Sequence, residues 1–213
     1  KLGISTRLMG KVGTDLFGQE ICNILAAHSP ELSKGMLVDA ASSTSYSVVI
    51  SPPGVDRIFL HNPGANHTFC AADVNYQQVS QTDLFHFGYP PLMQRMYEND
   101  GAELSEIFSC VKALDVLTSL DMAFPDPGSP AAKVNWLTIF QAVLPYVDIF
   151  LPSIEELLFC LRRPLYNEVA REGNLLECVT PDLLGALSAE LLEMGVKIVV
   201  LKLGEQGLYL RTA

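Results

Sequence analysis

The chain has 213 residues, 49 % of them hydrophobic, enough to bury a sizeable core and to exclude a disordered segment. Acidic residues outnumber basic ones 24 to 14, a formal charge of −10, which argues against binding along a nucleic-acid backbone but not against holding one nucleotide. No apolar run approaches the ~20 residues that span a bilayer, and no basic segment followed by an apolar one opens the chain, so the expectation is a cytoplasmic protein with no membrane partner.

In chain order, KVGTDLFGQEI carries spaced glycines but neither a GxGxxG nor a Walker loop, and Gly13-Thr14-Asp15 reads as a strand-to-helix turn. Phe17, Ile21, Leu25 and His28 then repeat at helical spacing, with Thr14 or Asp15 available as N-cap. In STSYSVVISPPGVDRIFLHNPGANH, β-branched and aromatic residues flank Pro52-Pro53-Gly54, predicting two strands at about 44–50 and 57–61. Ser45 and Ser47 alternate with Tyr46 and Val48, so this is expected as a half-exposed hairpin outside the main sheet.

DLFHFGYP predicts a short buried strand ending at Gly88. AELSEIFSCVKALD places Leu104, Ile107, Phe108, Val111 and Leu114 on one helix face. VLTSLD and VDIFLP predict strands ending at Asp121 and Pro152, and the unpatterned stretch 162–179 predicts a mobile loop. PDLLGALSAELLEMG reads as a leucine-rich helix with Gly195 as its C′ residue. KIVVLKLG is a strand, and a glycine-flanked turn leads to a second strand at 208–212. Strands alternating with helices predict an α/β fold with a mostly parallel sheet.

Ligands of such sheets bind at the carboxyl ends of the strands. That rule singles out Gly88 with Tyr89, Asp121, Ser153 with Glu156, and Lys202 with Gly204, all polar or glycine breaks after apolar runs. Ser153 and Glu156 have the spacing of a capping box, which accounts for both residue types. The alternative, a helix N-terminus and a carboxylate holding a metal-bound phosphate, is less favoured by spacing alone. PGANH, from Pro63 to His67, is either an ordinary turn or a close backbone approach to a small ligand under a lid. The five cysteines form no CxxC pair and the four histidines no metal-ligand spacing, so reduced core cysteines and structural or solvated histidines are expected.

Together these segments resemble the ribokinase/PfkB family of carbohydrate kinases, over essentially the whole chain and in the same order. VGTDLFG resembles the end of the family's first signature, the hairpin with PGAN its β lid (about 44–66), and DLFHFGYP the strand that passes the sugar. SLDMAFPDP with Trp136, then LPYVDIFLPSIEELL, resembles its Asp-bearing strand and Asn-x-x-Glu segment, and VVLKLGEQGLYL its nucleotide-binding hairpin.

The resemblance implies a ribokinase-like α/β domain over residues 1–213 and ATP-dependent phosphorylation of a sugar hydroxyl with Mg²⁺. It makes Glu156 the carboxylate that organises metal and phosphate, and puts Asp121, Ser153, Lys202 and Gly204 with the nucleotide. Ser153 replaces the family's usual asparagine, and Lys202 stands where threonine is frequent; a lysine meets phosphate as a point charge. Gly64, Ala65 and Asn66 are implied to lie over the sugar, as is Gly88, where some members carry a substrate-binding glutamate. The family's Gly-Gly segment is expected before Lys1. Its Gly-Ala-Gly-Asp segment, with the catalytic base, is expected after Ala213. The domain is therefore expected to be incomplete at both ends and the 213-residue chain alone inactive. An alternative is a non-catalytic nucleotide- or sugar-binding module of the same fold. Tyr46, Val48, Ile58 and Phe59 would expose apolar lid surface, which predicts a homodimer through the lid.

Overall fold

The computed structural model describes residues 3–54, 57–172 and 175–213, and it divides into two compact units, 1–74 and 75–213. In the first, β1 (Gly10–Gly13) pairs in parallel with β2 (Met36–Asp39), linked by α1 (Leu16–His28) and the short α2 (Pro30–Ser33). Asp15, not Thr14, caps α1: one carboxylate oxygen accepts from Gly18 N at 3.0 Å and the other from Thr44 N at 2.7 Å.

The predicted hairpin is present as β3 (Tyr46–Ile50) and β4 (Ile58–Asn62), antiparallel with Val48 opposite Leu60 and Val49 opposite Phe59. It is exposed on both faces rather than one. Tyr46, Val48, Ile50, Ile58 and Leu60 share one side, Val49 and Phe59 the other, and all are exposed. Gly64 then adopts φ +47°, and a Cβ there would lie 2.4 Å from the Ser43 carbonyl oxygen, so the turn Gly64–Thr68 needs glycine at its start.

The second unit holds a five-stranded sheet: β5 (Leu84–Gly88), β6 (Leu117–Asp121), β7 (Ile149–Phe150), β8 (Ile198–Lys202) and β9 (Leu208–Thr212), adjacent in that order. β5 to β8 run parallel and β9 antiparallel. The unit's helices are the one-turn α3 (Tyr76–Val79) and α4 (Gln94–Tyr97), then α5 (Ala102–Lys112), α6 (Trp136–Val143), α7 (Ile154–Leu161), α8 (Arg163–Glu172) and α9 (Pro181–Glu193). One sheet face, with Leu120, Phe150, Val199 and Leu201 almost wholly buried, forms the core. Phe108 of α5 meets Phe85 and Phe87 edge-on, and Phe140 of α6 meets Phe150 at 5.4 Å. Strand alternation leaves His86, Gly88, Ser119, Asp121 and Lys202 on the opposite face.

In this second unit four expectations differ. β5 is an edge strand of this sheet, so only Phe87 is buried and Leu84 is 48 % exposed. α5 stops at Lys112, which leaves Leu114 beyond the helix and half-exposed. β7 is shorter than VDIFLP suggests, although Ser153 still bridges to Lys202 beyond it. The supposed loop is mostly α8. Arg163 lies over the Phe159 ring, 3.3 Å from its centroid, and its Nε donates to the Phe159 carbonyl, while Tyr166 packs on Phe124 and Phe159. Val169, one turn after Tyr166, is buried as well, so the helix has an apolar face on one side; residues 173 and 174 of that stretch lie outside the described residues. Gly195 follows α9 at φ +111°, as its expected C′ role requires.

Candidate functional site

The register of the parallel strands aligns their carboxyl ends. Gly88 pairs with Asp121, and Ser153 bridges to Lys202, whose N–H donates to the Pro152 carbonyl at 3.0 Å. Asp121 and Lys202 end strands that are separated by β7, with side chains in the same phase of the pleat. A long lysine reaches across that gap: Lys202 Nζ lies 2.6 Å from Asp121 Oδ1, which also accepts from Met122 N at 2.8 Å. Both side chains keep solvent access, 42 % for the lysine and 19 % for the aspartate.

Between them begins α7. Ser153 Oγ accepts from Glu156 N at 3.2 Å, and Glu156 Oε2 accepts from Ser153 N at 2.6 Å, so the capping box is real. The cap does not explain the rest of the glutamate's surroundings. Glu156 is only 9 % exposed, and burial pushes its carboxyl above the usual carboxylate range. The Ser153 N–H and the Lys202 charge oppose that rise, whereas the Asp121 charge adds to it. A surface cap would show no such conflict. The capping box therefore accounts for the spacing of the two residues, but not for the burial of Glu156 beside the Asp121 and Lys202 charges.

The structure thus brings together four sequence-singled residues: Asp121, Ser153, Glu156 and Lys202. Gly204 stands two residues past the lysine at φ +56°, in the turn Gly204–Gln206 that joins β8 to β9. Gly88 flanks Asp121 on the β5 side, and a Cβ there would meet only His86 Nε2, at 3.9 Å. Gly64, Ala65 and Asn66 belong to the first unit, where Ala65 is fully buried and its N–H donates to the Ser43 carbonyl at 2.7 Å. Two polar residues escape the strand-end rule. His86 Nδ1 and Ser119 Oγ lie 2.7 Å apart, two residues before Gly88 and Asp121 on the same sheet face. The period of two along each strand is the signal that would find them.

No group of three or more His, Cys, Asp or Glu side chains suited to a metal occurs among the described residues. Magnesium seldom needs such a cage, because it keeps several waters and takes one or two carboxylates plus substrate phosphates. Asp121 and Glu156 fit a metal that arrives with a nucleotide.

The chain belongs to the pfkB family of carbohydrate kinases, which it matches over residues 1–213. It is 25 % identical over 219 residues to an uncharacterized sugar kinase of Archaeoglobus fulgidus, an overlap of 99 % of this chain and 71 % of that protein. Fructokinase-2 of Zea mays is 29 % identical over 173 residues, covering 79 % of this chain and 49 % of the maize protein. An E. coli protein described as a ribokinase II, in complex with ATP and Mg²⁺, superposes with a TM-score of 0.69 at 24 % identity, over 100 % of this chain and 61 % of that one. The last likeness concerns the fold, which is ribokinase-like. The chain spans about half the length of the maize relative and about three fifths of the bacterial one.

Proposed function

We propose that the protein carrying these residues transfers the γ-phosphoryl group of ATP to a hydroxyl of a sugar or sugar-like alcohol. The observation that carries this reading is the Asp121–Lys202–Glu156 cluster at the carboxyl ends of the parallel strands, in a chain of the pfkB carbohydrate kinase family. Mg²⁺, when bound with the nucleotide, neutralises charge on the phosphates. Lys202 offers an ammonium point charge to a phosphate oxygen, and Asp121 holds that ammonium over the sheet end. Glu156, anchored through Ser153 N, orients water or metal from the start of α7. Gly204 lets the nucleotide approach the backbone closely and Gly88 contacts the sugar; in the first unit Gly64 and Asn66 are the candidates for sugar contact, since Ala65 is fully buried. ATP and Mg²⁺ in the E. coli protein of the same fold support this choice of cofactors. The exposed hairpin residues support a homodimer through the lid, and the lack of any helix long and apolar enough to cross a membrane, among the described residues, is compatible with a cytoplasmic setting.

The test is ADP release by the natural full-length polypeptide with ATP, Mg²⁺ and a panel of free sugars that includes fructose and ribose. Sugar-dependent release is expected, and it should fall on Glu156→Gln or Lys202→Met. A protein whose melting temperature rises with Mg²⁺-ATP, but whose ADP release no sugar stimulates, would sink the kinase reading.

A further inference from the structure

Tyr89 follows the last residue of β5 in the left-handed region, at φ 68° and ψ 47°. Among the described residues the other non-glycine positions of positive φ are Asn99, Asp100 and Asp115, types whose short polar side chains tolerate it. A bulky aromatic does not, and such strain persists only where the surroundings impose it. Here they do. Tyr89 N donates to the Asp121 carbonyl at 3.2 Å, the Tyr89 carbonyl accepts from Leu92 N at 3.0 Å, and the buried Pro90 and Pro91 fix the next two residues. The conformation is not used to bury the ring, because Tyr89 is 51 % exposed. Beside it the surface is open: Gly88 has no side chain, and nothing but His86 Nε2 approaches the space a Cβ would take.

The position in the sheet says what an exposed ring there can meet. Lys202 reaches Asp121 from β8, so the phosphate-facing charge lies over β6 to β8. The acceptor hydroxyl must approach roughly in line with the leaving oxygen, from the far side of the transferred group. With the nucleotide at the β8–β9 turn, that far side is β5. We infer that Tyr89 is a substrate-contacting residue: its strained backbone holds the ring at the β5 end as a flat apolar platform for the C–H face of a cyclic sugar, over the gap left by Gly88. The inference rests on the kinase reading proposed above.

The experiment measures KM for the best sugar and for ATP, with melting temperature, in the full-length protein and three variants. Tyr89→Ala should raise the sugar KM roughly three- to tenfold, as expected for a lost aromatic contact, and leave the ATP KM within about twofold. Tyr89→Phe should keep the wild-type sugar KM. Tyr89→Gly accepts positive φ without strain, so it should melt at or above Tyr89→Ala while showing the same raised sugar KM. An unchanged sugar KM in the alanine variant overturns the inference and leaves the kinase reading standing. Recovery of the wild-type sugar KM by glycine, or its loss in the phenylalanine variant, also overturns it, since backbone shape or the hydroxyl would then be responsible. Absence of turnover with every sugar overturns the kinase reading, and this inference with it.

Discussion

Two ionic clusters sit at opposite ends of the same parallel sheet, and they are built to opposite rules. At the amino ends, Asp148 just before β7 is 3 % exposed and meets Lys112 Nζ at 2.5 Å, Lys197 Nζ at 2.7 Å and Thr118 N at 2.9 Å. Its own N–H donates to Thr118 Oγ1, so β6 and β7 are tied reciprocally. Burial alone would raise this carboxyl, but the two ammoniums and Thr118 hold it well below the usual range. At the carboxyl ends, Glu156 is nearly as buried, yet one N–H, one half-exposed lysine and a neighbouring aspartate leave its carboxyl raised. The first cluster is saturated with partners and has nothing to offer a ligand. The second holds a carboxyl that its protein partners do not fully compensate, which marks it as a site candidate.

The largest test of that contrast is Asp148→Ala. Removing the shared acceptor leaves the buried Thr118 N–H unsatisfied and should cost about 1–3 kcal/mol, read as a lower urea midpoint, with the sugar KM unmoved at a temperature where the variant stays folded. A midpoint within error of wild type would show that this cluster does not hold the strands. Glu156→Gln should do the reverse: kcat falls on the order of 100-fold, while stability at neutral pH is kept or increased, because the amide still caps Ser153 N without burying a charge. Ser153→Ala should cost only about 1 kcal/mol, the usual worth of an N-cap hydroxyl, by the same denaturation measurement.

The pH dependence separates the clusters by sign. The Asp148 carboxyl is lower in the folded than in the unfolded chain, so its stabilisation is complete above the unfolded value of 3.8 and is lost as pH falls toward its folded value. The Glu156 carboxyl is raised in the fold, so its favourable contribution is present below 4.5 and is lost as pH rises through its folded value. Stability measured against pH should therefore lose its steep acid limb in Asp148→Asn, and become flatter just above pH 4.5 in Glu156→Gln. The smallest effect is directional: because the Lys202 charge lowers the Glu156 carboxyl, Lys202→Met should move its titration upward, as followed by carboxyl NMR shifts.

Much of this site is legible along the chain. Asp121, Ser153, Glu156 and Lys202 each break an apolar run, and a Ser-x-x-Glu pattern announces its own cap. What cannot be read is their meeting. Lys202 and Asp121 are 81 residues apart, and they touch only because β8 and β6 flank β7 in the same pleat phase. Asp148, by contrast, is the second residue of VDIFLP, and nothing in that run announces that it pairs with Lys112, Lys197 and Thr118. α8 is hidden for a different reason: its apolar face is short, Tyr166 and Val169, and the rings that Tyr166 packs on, Phe124 and Phe159, belong to other segments.

The division follows the range of the forces. Helix caps, the glycine after α9 and the alternation of β6 and β8 depend on neighbours within about four residues, so the residue pattern alone carries them. Strand order, the edge position of β5 and the partner of every buried charge depend on pairings between distant segments, which no local pattern encodes. Those pairings decide that Asp148 is enclosed by ion pairs at one end of the sheet, while at the other the Lys202–Asp121 pair keeps solvent access.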